Sequence, residues 1–173
     1  NLFSGKTIKA NDYFLIVRVG YFTNSADIFV DYPLTEDNSL VLKNPDGQIV
    51  DKAGWGQARD YEAKSAPNPL VGQSISRKIG ELDTDDNGSD FELNTPTPRS
   101  QNTIYVVQLQ LPIPPPPPPP TEPPQPYINV QQIILINEIQ IAGLEDEKEE
   151  FVELYNPTDL DIDLTGWYLQ RKT

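Results

Sequence analysis

Cysteine, histidine and methionine are all missing from the 173 residues. Without cysteine there are no disulfides, no thiolate metal sites and no Cys nucleophile, and without histidine no mechanism can turn on imidazole. The lack of disulfides leaves the compartment open, because a well-packed or metal-tied sandwich can be secreted without them. Positive charge is scarce: 13 basic residues face 26 acidic ones, for a net charge of −13. Residues 1–111 carry 10 basic and 15 acidic side chains and residues 112–173 carry 3 and 11, so both portions are acidic. The electrostatic footprint of a nucleic-acid binder is absent, and no nucleic-acid partner is expected. No apolar run approaches the roughly 20 residues that span a bilayer, so no membrane span is expected. The opening "NLFSGKTIKANDYF" has neither a charged start followed by an apolar stretch nor an initiator methionine. The chain is therefore expected to be a processed or excised piece of something longer.

Helical periodicity is also scarce, whereas strand signals with turn punctuation recur throughout. "DYFLIVRV" (12–19), "ADIFVDYP" (26–33) and "TIYVVQLQL" (103–111) are β-rich runs. In "SLVLKNPDGQIVDKAGW" (39–55), Val41 and Leu42 precede Asn44-Pro45-Asp46-Gly47 and Ile49 and Val50 follow it. Proline presets φ for a turn and glycine accepts a positive φ, which predicts a hairpin. Residues 112–126, "PIPPPPPPPTEPPQP", are eleven-fifteenths proline and predict a polyproline II rod of roughly 46 Å. A stiff spacer is the plain reading of that rod; the sharper one is a ligand for an SH3- or WW-type groove. Strands resume in "INVQQIILINEIQIAG" (128–143), "FVELYN" (151–156), "PTDLDIDL" (157–164) and "GWYLQRKT". The expected fold class is all-β, with one sandwich of short antiparallel strands in a chain sized for about one domain.

The strongest chemical motif is Asp83-Thr-Asp85-Asp86-Asn87-Gly88-Ser89-Asp90. Its first half fits the spacing at which alternate oxygen-bearing side chains converge on Ca²⁺, with glycine at the sharp turn. Asp83, Asp85, Asn87 and Asp90 are the candidate ligands, although Asn94 stands where a bidentate glutamate belongs and no flanking helices are expected. The plain alternative is an acidic turn whose side chains bond their own backbone. Glu138 and Glu153 sit inside apolar strands and are weighed as a carboxylate pair for acid/base work. Period-2 alternation instead predicts that each faces solvent or meets Lys or Arg across a sheet. Asp159, Asp161 and Asp163 alternate along a strand edge, where charge discourages stray edge pairing, with a second cation site as the other reading. Glu145, Asp146, Glu147, Glu149 and Glu150 read as a solvated turn. Trp55 and Trp167 are expected in the core rather than stacked on sugars. No Gly-rich phosphate loop is present, and nothing marks a base beside a Ser, Thr or Lys nucleophile.

Residues 136–170, "INEIQIAGLEDEKEEFVELYNPTDLDIDLTGWYLQ", resemble the opening of lamin-tail domains. The likeness lies in Ile136-Asn137-Glu138-Ile139, in Glu150-Phe151-Val152-Glu153-Leu154-Tyr155-Asn156-Pro157 and in Asp163-Leu-Thr-Gly-Trp-Tyr-Leu169. "GKTIKANDYFLI" (5–16) resembles that family's middle strand and "LVLKNPDGQIVDKAGWG" (40–56) its central hairpin. "GQSISRK" (72–78) and "DTDDNGSDFELNTPTP" (83–98) resemble its closing segment. The family's beginning thus follows its end. The resemblance implies an immunoglobulin-like sandwich with its later strands in 1–102 and its first strands in 127–173, separated by an extra strand (103–111) and the proline linker (112–126). It supports the acidic-turn reading of residues 83–90, since the family carries such a segment without a bound metal being implied.

A portion with three or four strands cannot bury its own apolar face, so residues 127–173 must dock on residues 1–102 of some copy. Docking within the chain gives a circular permutant, and docking on the next copy gives a head-to-tail fibre. Rod stiffness favours the second, so the expected partners are other copies of the same chain. The expected interface is Ile136, Ile139, Phe151, Leu154, Tyr155, Leu164, Trp167 and Leu169. The expected function is a non-enzymatic structural module of a secreted or surface assembly, with a monomeric binding module for a protein, glycan or cell surface as the alternative.

Overall fold

The computed structural model describes residues 2–21, 26–78, 83–102 and 134–172. The predicted strand 103–111 and rod 112–126 lie outside these residues. Before them come β1 (Thr7–Ile8), β2 (Tyr13–Arg18), β3 (Ile28–Val30), β4 (Ser39–Lys43), β5 (Ile49–Gly54), β6 (Ser74–Arg77), the single helical turn α1 (Asn87–Asp90) and β7 (Phe91–Asn94). After them come β8 (Leu135–Gln140), β9 (Phe151–Tyr155), β10 (Ile162–Asp163) and β11 (Tyr168–Lys172). The described residues are nearly all β. The two portions interleave: a six-stranded sheet runs β3-β2-β9-β8-β6-β7, a three-stranded sheet runs β11-β4-β5, and β1 pairs with β10.

Every strand of the tail therefore has a neighbour from the leading portion of the same chain. Phe14 stands opposite Leu154, Ile75 opposite Ile139, Leu42 opposite Leu169 and Ile8 opposite Ile162. The expectation of purely antiparallel strands is corrected at one place, because β3 runs parallel to β2. Parallel neighbours require the chain to be carried back between them. Here Asp27 fixes the return: its N–H donates to the Leu15 carbonyl at 2.9 Å and its carboxylate accepts the Leu15 N–H at 2.7 Å.

The predicted hairpin is β4–β5. Asn44 N–H donates to Gln48 O at 3.0 Å, Gly47 N–H to Asn44 O at 2.9 Å, and Gly47 takes φ 79°. Its inward side chains Leu40, Leu42 and Ala53 meet Phe14, Ile16, Ile75, Ile136, Ile139, Val152 and Leu154 of the larger sheet in one apolar cluster. Trp55 and Trp167 are buried in that cluster, and Trp55 Nε1 donates to Thr35 O at 2.9 Å.

The eight tail residues expected at an interface all turn toward the leading portion. Ile136, Ile139, Leu154, Leu164 and Trp167 belong to the main core and Leu169 packs against it. Phe151 joins Leu15 and Val17 in a second cluster on the other face of the larger sheet, and the Tyr155 ring lies 5.0 Å from that of Tyr13. At about 2 kcal/mol for each buried side chain, the five core residues are worth on the order of 10 kcal/mol. That is the scale of a whole domain's net stability, so the docking of the tail decides whether this fold exists.

A bulge in β8 sorts its side chains between the two faces of the larger sheet. Ile136 opposes Leu154 and Glu138 opposes Glu153, which leaves Asn137 as the extra residue between them. An extra residue re-aims the side chains around it. Ile136 and Ile139 consequently both reach the core, while Asn137 is directed at Glu153.

Candidate functional site

Strand β6 has alternating sides, "SISR", and each side meets buried charge. Ile75 and Arg77 face the interior, while Ser74 and Ser76 share the opposite face. All four residues are buried.

Arg77 is 3% exposed, with its guanidinium 4.7 Å from the Phe91 ring. Its Nη2 donates to both oxygens of Asp51, at 3.1 and 3.0 Å, and its Nη1 to Asp90 at 3.0 Å. Asp83 lies 3.5 Å from Nη1, and Nε donates to Ile136 O at 3.3 Å. Asp51 also accepts the N–H of Ile136 at 2.5 Å and that of Lys52 at 2.7 Å. One guanidinium thus ties β5 of the smaller sheet to β6 and β8 of the larger one, across both portions of the chain. Carboxylates nevertheless outnumber the cation. Burial pushes the Asp51 carboxyl up to about 7 against the pull of Arg77, with Asp83 adding to the rise. Glu62 is pushed up to about 8, by burial first and then by Asp51 and Asp83.

Of the four predicted calcium ligands, Asp83 and Asp90 meet at Arg77 Nη1, while Asn87 and Asp85 make other contacts. Asn87 is buried and its amide is fully used: Oδ1 accepts from Gly54 N and Glu62 N at 2.9 and 3.1 Å, and Nδ2 donates to Lys52 O and Glu62 Oε2 at 2.8 and 2.9 Å. Asp90 closes the ion pair with Arg77 and accepts the Thr84 N–H at 3.0 Å. Asp85 is exposed, with a left-handed φ of 56°. Asp83 alone joins a carboxylate group of ligand-like spacing, and its companions are Asp51 and Glu62; one oxygen from each lies within 4.8 Å of the others. Asp86, outside the predicted set, caps α1 by accepting the Gly88 N–H at 3.1 Å. The spacing motif thus builds an Asx-type turn and a one-turn helix that carries Asn87 and Asp90 inward. Sequence reasoning missed Asp51, Glu62 and Arg77. The available signal was Asp51 in phase with Ala53 along the inward side of β5.

On the opposite face, Ser76, Glu138 and Glu153 stand in a row across β6, β8 and β9. Both glutamates are fully buried, which corrects the expectation that each faces solvent. They are held by a hydroxyl, backbone N–H groups and an amide. Glu138 accepts from the Ser74 hydroxyl at 2.5 Å and from Thr97 N at 3.0 and 3.1 Å. Glu153 accepts from Arg99 N at 2.6 Å and from the bulge residue, Asn137 Nδ2, at 3.0 Å. Burial raises the Glu138 carboxyl and pushes Glu153 up to about 7, to which the neighbouring Glu138 adds. The Ser76 hydroxyl in this row has no hydrogen-bond partner among the described residues.

The remaining candidates are structural in their contacts. Asp161 pairs with Lys9 at 2.6 Å and caps Ala10 N at 3.0 Å; Asp163 caps Thr165 N at 2.8 Å; Asp159 accepts from Asn11 Nδ2 at 3.1 Å. Within the acidic segment 145–150, Glu150 departs from a solvated turn: it is buried, pairs with Arg18 and accepts the Leu34 N–H at 2.5 Å. No helix among the described residues is long and apolar enough to cross a membrane. No family model, curated protein or solved structure matches the chain.

Proposed function

We propose that the chain is a non-enzymatic binding module: an immunoglobulin-like sandwich of the lamin-tail kind, closed within one chain. Its place is outside the cell or at the cell surface, and its partner is a protein or glycan. The supporting observation is the strand order. The strands that resemble that family's opening (β8, β9 and β11) lie in register between or beside β2, β6 and β4, which resemble its later part. The non-enzymatic reading rests on the residue inventory and on Glu138 and Glu153, whose carboxylates are sealed under residues 97–99 rather than open to a substrate. Size-exclusion chromatography with light scattering tests the closed module, and a monodisperse 19.4 kDa species is expected. A mass ladder, or filaments with a regular axial repeat in negative stain, overturns it.

Those outcomes select the second reading, a structural assembly in which each tail completes the next copy head to tail. What favours it is that every pairing between the two portions is equally available between copies. A divalent cation such as Ca²⁺ belongs to the proposal at Asp51, Glu62 and Asp83. Its support is the 4.8 Å grouping of their oxygens.

A further inference from the structure

We propose that the turn Thr97–Ser100 is a latch that grips the tail strands β8 and β9 by their two buried glutamates and releases them when both ionise. The turn is built for that grip. Ser100 N donates to Thr97 O at 3.0 Å, Pro98 takes the first central position and Arg99, at φ 67°, takes the second. A positive φ at that position is the mark of a type II turn and is ordinarily met by glycine. Arg99 accepts the strain, and in this conformation the turn presents two N–H groups to the sheet. The N–H of Thr97 bonds Glu138 on β8 and the N–H of Arg99 bonds Glu153 on β9.

The leading portion anchors the turn on its other side. The Arg99 guanidinium donates to Tyr13 O at 2.8 Å and pairs with Asp27. Two residues beyond the turn, Asn102 Nδ2 donates to Arg77 O at 2.7 Å and to Asn137 Oδ1 at 3.0 Å, joining both portions in one amide. Grip and anchor are thus separate sets of contacts.

Glu138 and Glu153 stand opposite each other in adjacent strands, both without solvent-exposed surface. Two carboxylates so placed cannot both carry charge cheaply, so one proton between them suits the closed state. The charged and titratable groups around them do not reverse this balance. Tyr13 of β2, Tyr155 of β9 and Asp12 stand at one end of the row, and Glu92 of β7 stands opposite Ser76 at the other. Arg99 is the cation of the turn and is shared with Asp27, while Arg77 lies on the far face of β6 among its own carboxylates. When the last proton leaves, lifting the turn lets water reach both anions. The latch needs only the pairing of β8 with β9 beneath the turn, and it works whether copies stay single or exchange tails.

Amide hydrogen exchange on the whole chain, corrected for intrinsic base catalysis, tests it. The amides of Thr97 and Arg99 are expected to lose at least about tenfold of their protection between pH 6 and pH 8.5. Those of Leu40 and Leu42, in the central strand β4, are expected to keep theirs. Glu153→Gln is expected to hold the turn closed across that range, and Glu138→Gln supplies the same reading if the first variant fails to fold. Protection that does not change with pH, loss shared equally by β4, or an undiminished response in a folded amide variant each overturns the latch. The comparison of the turn with β4 in the unaltered chain stands without either variant.

Discussion

On one face of β6, Arg77 meets Asp51, Asp83 and Asp90 as a full cation among anions; on the other, Glu138 and Glu153 meet hydroxyl, backbone and amide donors. Both sets are buried, and both join the leading portion to the tail. Their responses to perturbation nevertheless run in opposite directions. A buried ion pair loses most when one partner is removed, because the other charge is stranded. At Glu153 burial outweighs the hydrogen-bond donors, which favour the ionised form, so the carboxyl tends to keep its proton and removing its charge relieves the fold. The first arrangement fixes the relation between the two sheets, and the second makes the attachment of residues 97–102 conditional.

The largest effect is expected from Arg77→Met, which strands Asp51 and Asp90 between the sheets. Denaturant unfolding at pH 8 should show a loss of about 3–5 kcal/mol. The loss should be smaller at pH 5, where Asp51, with its carboxyl pushed up to about 7, already carries a proton. An equal loss at both pH values would show that the guanidinium acts through packing on Phe91 rather than through charge.

The intermediate effect has the reverse sign. Glu153 and Asp51 are raised to about 7 and Glu62 to about 8. A folded-state value above the unfolded one contributes stability that is present below the unfolded value and lost as pH rises through the folded one. The chain should therefore be most stable near pH 5 and lose stability toward pH 8. For Glu153 alone, the ceiling on that loss is roughly 3 kcal/mol. Glu153→Gln should match the parent at pH 5, exceed it at pH 8 and flatten part of the curve in unfolding series across that range. A variant weaker than the parent at pH 8 would mean that the ionised carboxylate is what Arg99 and Asn137 require, and the contrast between the two faces of β6 would fail.

Much of this fold is legible in the chain itself. The hairpin at residues 39–54, the apolar alternation of β9 and the clash between a strand-rich tail and its inability to stand alone all follow from period and turn chemistry. The parallel β3 is not legible, because its direction depends on Asp27 bonding back to Leu15 and no local pattern records that contact. Neither burial of Glu138 nor burial of Glu153 follows from alternation. Period 2 places both on the face away from the core, and among the described residues it is the return of 95–102 across that face that covers them. The acidic motif misleads for a related reason. Its spacing specifies a turn, but which carboxylates converge depends on Arg77 and Asp51, remote in sequence, and on Asn87 giving its amide to the backbone of β5.

The smallest effect separates motif from geometry. Asp85→Asn keeps a residue type that tolerates the left-handed φ of 56° and changes only an exposed carboxylate. Its stability should stay within about 0.5 kcal/mol of the parent. The informative measurement is thermal unfolding with and without millimolar Ca²⁺. A cation held by Asp51, Glu62 and Asp83 raises the melting temperature of Asp85→Asn as much as that of the parent, whereas Glu62→Gln abolishes the rise. If Asp85→Asn abolishes the rise and Glu62→Gln leaves it intact, the ion is bound by the alternating loop residues, and the carboxylates beside Arg77 are only counter-charges. No rise in any of the three leaves Arg77 as the sole cation of its face, the strongest form of the contrast with Glu138 and Glu153.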